Sequence, residues 1–201
     1  MNPVILLLII CTLFLHGDLS VNAATTRTVK VKAAPAGHSA LSSPSIQITG
    51  DKNFITKTKA ALKLLQEKAP DAYKITVTYI GRIQQHNFSG MAAYETPPTY
   101  KVGASTVNAS LTWYASTIAH DAYHSKLYHD YLYTYKEAVP NEVWTGMDAE
   151  MKCLEIQIQA LESMGASASE IEYARSLRGK NWWDLNGDGD YNEDDEKIRD
   201  W

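Results

Sequence analysis

Cysteine is nearly missing from this chain: among 201 residues there are only Cys11 and Cys153. Cys11 stands inside the apolar run Val4 to Leu15, so a mature form that loses this run keeps one thiol and can form no internal disulfide. An exported domain without covalent braces draws rigidity from elsewhere, and a bound metal ion is one source. The apolar run is about a dozen residues, short of the roughly 20 that a membrane-crossing helix needs. No Lys or Arg precedes it, but it leads into a polar stretch and Val21-Asn22-Ala23, which suits signal-peptidase cleavage before Ala24. A lipoprotein signal wants a small residue before its cysteine, and Ile10 stands there instead. The expectation is a secreted, extracellular protein with a signal peptide over residues 1–23 and no membrane contact after cleavage.

Basic clusters are also lacking. Without residues 1–23 the chain has 22 acidic and 19 basic side chains, net −3. Eight of the acids but only two of the bases lie between Asp184 and Asp200, which leaves residues 24–183 at +3, thinly spread. Such a surface offers no footing for nucleic acid. The length and the 45% hydrophobic, 21% charged composition suit one soluble domain of catalytic size. Residues 24–53, rich in Ala, Ser, Thr and Pro around APAGHSALSSPS, lack any sustained period and read as a flexible arm, with His38 a solvated loop residue.

Periodicity begins at Ile55. Ile55, Thr58, Ala61, Leu62, Leu65 and Ala69 recur at helical spacing until Pro70. Tyr73 to Ile83, YKITVTYIGRI, alternates β-branched and polar residues and reads as a strand. Gly90, Pro97, Pro98 and Gly103 break the next stretch into loop with short strand pieces, Met91 to Tyr94 and Tyr100 to Val102. The pattern then predicts a long helix from Leu111 to Tyr135, ended by the Val139-Pro140 boundary. A second follows from Gly146 or Met147 to Met164 with Gly165 at C′. The apolar stripe of that second helix is Met147, Met151, Leu154, Ile158 and Leu161. A shorter helix carries a capping box at Ser169 and Glu172 and closes at Gly179. The fold class is α+β, with a main domain over residues 54–180 followed by a tail over 181–201.

Three of the six histidines fall in ASTIAHDAYHSKLYHDY, Ala115 to Tyr131. On a helix His120 and His124 lie about 40° apart and one turn above each other, so both imidazoles reach a common ion. Asp121, about 60° from His124 around the axis, flanks that ion. A His-Glu-x-x-His zinc hydrolase has this geometry: two ligands and a carboxylate that takes a proton from water. Here the carboxylate is one methylene shorter, leaving its oxygens about 1 to 1.5 Å back, a displacement that can cost about 10²-fold in rate.

Three places offer a third ligand. His129, nine residues after His120, points about 180° away. Asp130 occupies the last ligand place of the metzincin pattern, but Leu127 replaces the glycine at which that chain turns. The next helix offers Glu150 and Glu155. Glu150 shares a stripe with Cys153, Gln157, Ala160 and Met164 beside the apolar one, whereas Glu155 lies half a turn away, so Glu150 is favoured and Glu155 is the alternative.

The acidic tail carries a second pattern. Asp184-x-Asn186-x-Asp188-Gly189-Asp190-x-Asn192-x-x-Asp195 matches the EF-hand-like calcium loop, with oxygen donors at the ligand spacing and glycine at the turn. Its last position is Asp195 where the template has Glu, which resembles the loops of dockerin modules, although no second copy is present. Trp182, Trp183 and Trp201 bracket the loop and can clasp it to the body.

The span from Ile55 to Met164 resembles a zincin-type metallopeptidase of the class whose third ligand is a glutamate on the following helix. The residues that carry the likeness are His120-Asp121-x-x-His124, the preceding Ser116-Thr117-Ile118-Ala119, and Glu150-x-x-Cys153-x-x-x-Gln157. The resemblance implies a mixed sheet under two helices, zinc on His120, His124 and Glu150, and hydrolysis of a peptide or protein substrate with Asp121 as the base. It also implies a sheet-edge strand that pairs with extended substrate, for which Tyr100 to Val107 is available. Tyr128, Tyr131 and Tyr135 are candidate donors to a tetrahedral oxyanion. The alternatives to a secreted zinc metallopeptidase are a non-catalytic secreted domain of this fold and a calcium-binding cell-surface module with incidental histidines.

Overall fold

In the computed structural model, residues 45–188 and 193–198 are described. The expected signal peptide, His38 and most of the arm lie outside the described residues, as do Asp190, Asn192 and Trp201.

The arm ends earlier than its composition implies, because Gln47–Thr49 forms strand β1. Asp51 then caps α1 (Lys52–Lys68), its Oδ1 accepting from Phe54 N at 2.8 Å. Pro70 stops α1 and also starts the next element, since proline lacks the N–H that a first helical turn leaves unused. That element is a helix, α2 (Pro70–Tyr79), and not the strand expected over Tyr73 to Ile83. The threonines that looked like strand residues bond back along the helix, Thr76 Oγ1 to Ala72 O at 2.9 Å and Thr78 Oγ1 to Lys74 O at 2.7 Å. Ala72 and Thr76, one turn apart, are buried, so packing of this face decides against the β-branched propensity. The strand is confined to β2 (Arg82–Gln85).

Strands β3 (Gly90–Ala92) and β4 (Thr99–Val102) complete a four-stranded sheet in the order β1-β2-β4-β3, with β3 antiparallel to β4 and the other pairs parallel. The expectation for Tyr100 to Val107 as an edge strand is therefore corrected: β4 is hydrogen-bonded on both sides, and the terminal strands are β1 and β3. Beyond β4, α3 (Ala104–Asn108) ends as its chain turns, and Val107 joins the core.

Helix α4 runs from Leu111 to Tyr135, as the sequence pattern predicts, capped by Ser110 at one end and by left-handed Lys136 at the other. A short α5 (Asn141–Trp144) leads into α6 (Gly146–Met164), which ends on left-handed Gly165. Helix α7 (Ala168–Ser176) has its capping box at Ser167 and Glu170, two residues before the expected pair, because Glu170 reaches back to Ser167 N at 3.0 Å. The last element among the described residues is α8 (Glu193–Ile198).

One core cluster joins the sheet to α1, α2 and α4 through Leu65, Ile83, Tyr100, Val102, Tyr114 and Ile118. A second lies between α6 and α7, around Leu154, Ile158, Leu161 and Ala174. The α+β class is thus correct. No helix among the described residues is long and apolar enough to cross a membrane.

Candidate metal centre

Ser116 is fully buried and Thr117 partly so, and both return their hydroxyl protons to α4 carbonyls, Trp113 O at 2.8 Å and Tyr114 O at 2.9 Å. The first turns of α4 pack closely, with Ala115, Ile118, Ala119 and Ala122 inaccessible to solvent. This rigid bed carries His120 and His124, whose Nε2 atoms lie 3.0 Å apart. His124 Nδ1 sits 2.6 Å from the Trp144 carbonyl, an acceptor only, so Nδ1 carries a proton there and Nε2 is turned toward His120. Trp144 is placed by α5, an element with no signal in the sequence pattern.

Glu150 comes from the next helix and meets both rings. Its Oε2 is 3.2 Å from His120 Nε2 and its Oε1 is 3.4 Å from His124 Nε2. A tetrahedral ion with bonds of about 2.0–2.2 Å separates its ligands by about 3.3–3.6 Å, so the three donors stand within a few tenths of an ångström of that spacing. Cys153, one turn further along α6 and fully buried, adds a sulfur: its Sγ and a nitrogen of each histidine lie within 4.8 Å of one another. His120, His124 and Cys153 form a group that can hold a metal ion. This arrangement does not fix which metal.

The electrostatics suit a cation. Burial disfavours the charged form of Glu150, but the imidazoles of His124 and His120 overcome it and hold the carboxyl well below the usual carboxylate range. Burial also pulls His124 down, and the anionic neighbours raise it well above the ordinary histidine value. Because burial pushes the Cys153 thiol up to about 11, Glu150 is the anion that keeps a proton on His124 near neutral pH. The centre thus sets an ionised carboxylate, one-tenth exposed, against the two imidazole nitrogens.

The remaining candidates divide cleanly. Glu155 lies on the surface in a two-pronged pair with Arg178, at 2.6 and 2.8 Å, remote from the histidines. Asp130 accepts from Tyr79 Oη at 2.9 Å and pairs with Lys126. His129 packs edge-on against Tyr128 and is held below its usual pKa by burial. None of these three joins the centre. Asp121 does stand beside it, on the wall of the same cavity, and its charge acts on the Tyr100 hydroxyl, which burial first and Asp121 second hold well above the ordinary tyrosine value.

The cavity is about 670 Å³ and is lined by both histidines, with Ser89 and the β3 residues Gly90 to Ala92 also in its lining. Tyr128, Tyr131 and Tyr135 do not line it: Tyr128 meets Trp144 edge-on, and Tyr131 packs at a tilt against Tyr135 while donating to Glu137 Oε1 at 2.9 Å. The tyrosines in the cavity are Tyr94, Tyr100 and Tyr173. Trp113, also in the wall, lies at i−7 from His120, so helical spacing alone puts it on the face of the histidines.

In the tail, Asp195 is fully buried and its Oδ1 accepts from Leu185 N at 2.7 Å and Asn186 N at 3.2 Å. Asp188 N donates to Asn186 Oδ1 at 2.9 Å, and Asp184 N to Asn181 Oδ1 at 2.9 Å. The first and last positions of the calcium pattern are therefore drawn into one loop, and Trp183, 3% exposed, anchors it.

Compared with known proteins, the chain matches no family model, no curated protein and no solved structure.

Proposed function

We propose that the protein is a secreted zinc-dependent hydrolase of peptide bonds, zincin-like in its centre, with His120, His124 and Glu150 holding the metal. The observation that carries this reading is that the two imidazole Nε2 atoms lie 3.0 Å apart and 3.2 and 3.4 Å from the two carboxylate oxygens of Glu150, in the lining of a cavity large enough for several residues of peptide. Two imidazoles and a carboxylate are donors that zinc accepts in catalytic sites, where a fourth position stays open. When bound, zinc supplies Lewis acidity and makes water a nucleophile at neutral pH. In this reading Asp121 would accept a proton at a carboxylate oxygen, and β3, at one edge of the sheet, would pair with extended substrate through its backbone. Loading the purified protein with zinc, measuring metal content, and assaying a broad peptide library by mass spectrometry with and without chelator tests the reading. Stoichiometric zinc and chelator-reversible cleavage are expected; a protein that binds no metal overturns it.

A second reading is a non-catalytic binding domain of the same fold. It is favoured by the short arm of Asp121 and by the engagement of that carboxylate with Tyr100.

In the same proposal the tail binds calcium through Asp184, Asn186, Asp188 and Asp195, with Asp190 and Asn192 completing the loop from outside the described residues. Extracellular calcium, typically millimolar, fills even a site of about 10⁻⁴ to 10⁻³ M. At ten times its dissociation constant calcium adds about 1.4 kcal/mol of stability and raises the midpoint by a few degrees. Asp184→Ala with Asp188→Ala is expected to remove that increment and to leave metal at the histidines unchanged. A calcium titration that moves neither the melting midpoint nor the emission of Trp182 and Trp183 reduces the loop to an acidic tail.

A further inference from the structure

The cavity does not end at the metal donors. It continues along α4 past Thr117 to Trp113, about 10 Å from His120 at 1.5 Å per residue. There Tyr173 and Leu177 from α7 and the end of that helix, and Trp182 beyond it, close it into a wall, with Trp113 and Tyr173 in ring contact at 5.4 Å between centroids. Gln157 of α6 forms the floor. None of these six residues is charged, and the charged members of the lining, Lys101, Asp121 and Glu150, come from β4 or from the turns of α4 and α6 that carry the donors.

Two of the polar groups at this end are already engaged. Thr117 Oγ1 donates to Tyr114 O and accepts from Tyr100 Oη at 3.1 Å, and Gln157 Nε2 donates to Ser116 Oγ at 3.3 Å. What the wall offers a ligand is aromatic surface. A charged side chain placed there would lose its hydration for no partner, and a small one would leave the rings uncovered. The small Thr117, between the donors and Trp113, leaves room for a bulky group above it. On the outer surface two ion pairs link α6 to α7 and the residues just after it, Glu155 with Arg178 and Glu162 with Arg175.

We propose that Trp113, Tyr173, Leu177 and Trp182 form a subsite for an aromatic side chain of the ligand, flanking the bond held at His120 and His124. This rests on the reading of the cavity as a peptide site. It is tested by calorimetric titration of the zinc-loaded protein with acetyl-Gly-Phe-Gly-amide and acetyl-Gly-Ala-Gly-amide, with mass spectrometry of the same samples. The Phe peptide is expected to bind about 50-fold more tightly, the order of magnitude that burial of a benzyl group supports. Tyr173 is 57% exposed, so Tyr173→Ala is expected to fold and to weaken the Phe peptide by about 5-fold without changing the Ala peptide. Trp113→Ala removes more of the wall, and circular dichroism checks its folding because Trp113 also packs against the Leu154 cluster. Affinities within about 3-fold for the two peptides, including no measurable binding of either, overturn the subsite; so does a preference for Phe that both variants retain in full. Preferential binding of the Phe peptide without cleavage keeps the subsite and removes the hydrolase.

Discussion

His124→Ala is expected to abolish stoichiometric zinc binding, lowering affinity by more than about 10²-fold. Loss of an outer hydrogen-bond partner alone typically costs 10–100-fold, and His124 is an inner donor with such a partner in Trp144 O. His120→Ala and Glu150→Ala are expected to do the same, while Glu155→Ala and His129→Ala leave metal content unchanged, because neither side chain faces the centre. Cys153→Ala separates two compositions of the site. Zinc that persists in Cys153→Ala and disappears in Glu150→Ala makes the carboxylate the third ligand; the reverse makes it the sulfur. The wild-type affinity should also fall with acidity. Metal and proton compete for His124, whose pKa the ionised Glu150 raises, so below that pKa each pH unit is expected to cost about tenfold in affinity per proton displaced. Removing His124 also leaves Glu150 with less positive charge in a site where it is one-tenth exposed, at a cost of about 3 kcal/mol in the metal-free protein. His120→Ala is more exposed and gives a second, milder test. Stoichiometric zinc in the double histidine variant removes the metal reading.

The helices that carry the site were legible because their signals are local. In α4 the run from Ser110 to Tyr135 has a capping serine at the start and no Gly or Pro within it, and in α6 Gly165 marks the end where a left-handed residue is required, φ 69°. The i, i+4 spacing of His120 and His124 and the common stripe of Glu150 with Cys153 followed from the helical period alone. What the sequence hid depends on contacts between distant segments. Tyr73 to Tyr79 looks like a strand by composition, yet it is helical because Ala72 and Thr76 are buried on one face. The edge of the sheet nearest the cavity lining fell to β3 because the topology inserts β4 between β2 and β3, an order that no local pattern encodes. The aromatic wall was half legible: Trp113 shares the face of His120, but Tyr173 and Trp182 reach the cavity only because α7 folds back along α6.

Asp121→Asn is expected to leave zinc bound and to remove hydrolysis, by about 10² to 10⁴-fold, the range that a positioned proton acceptor contributes. The amide keeps the size of the side chain but cannot take a proton. The histidines keep their places, since α4 sets them and the Trp144 carbonyl orients His124 without help from position 121. The geometry also makes a prediction in the opposite direction. With one methylene fewer than a glutamate, the Asp121 carboxylate stands back from the centre by about 1 to 1.5 Å, and a misplacement of that size can cost about 10²-fold. Asp121→Glu is therefore expected to raise the rate by up to about 10²-fold, provided that the longer side chain leaves the Tyr100 hydroxyl and turns toward the histidines. Tyr100 stays packed in either case, because it is fully buried in the sheet and retains Thr117 Oγ1 as a partner at 3.1 Å. A steady-state comparison of wild type, Asn and Glu forms at matched zinc content reads all three outcomes. Activity in wild type and Glu but not Asn assigns the proton transfer to position 121. Activity in the Glu form alone means that this chain has kept the centre while shortening its base out of reach. Three zinc-loaded forms, all inert toward a broad peptide library, leave the binding domain as the function of the fold.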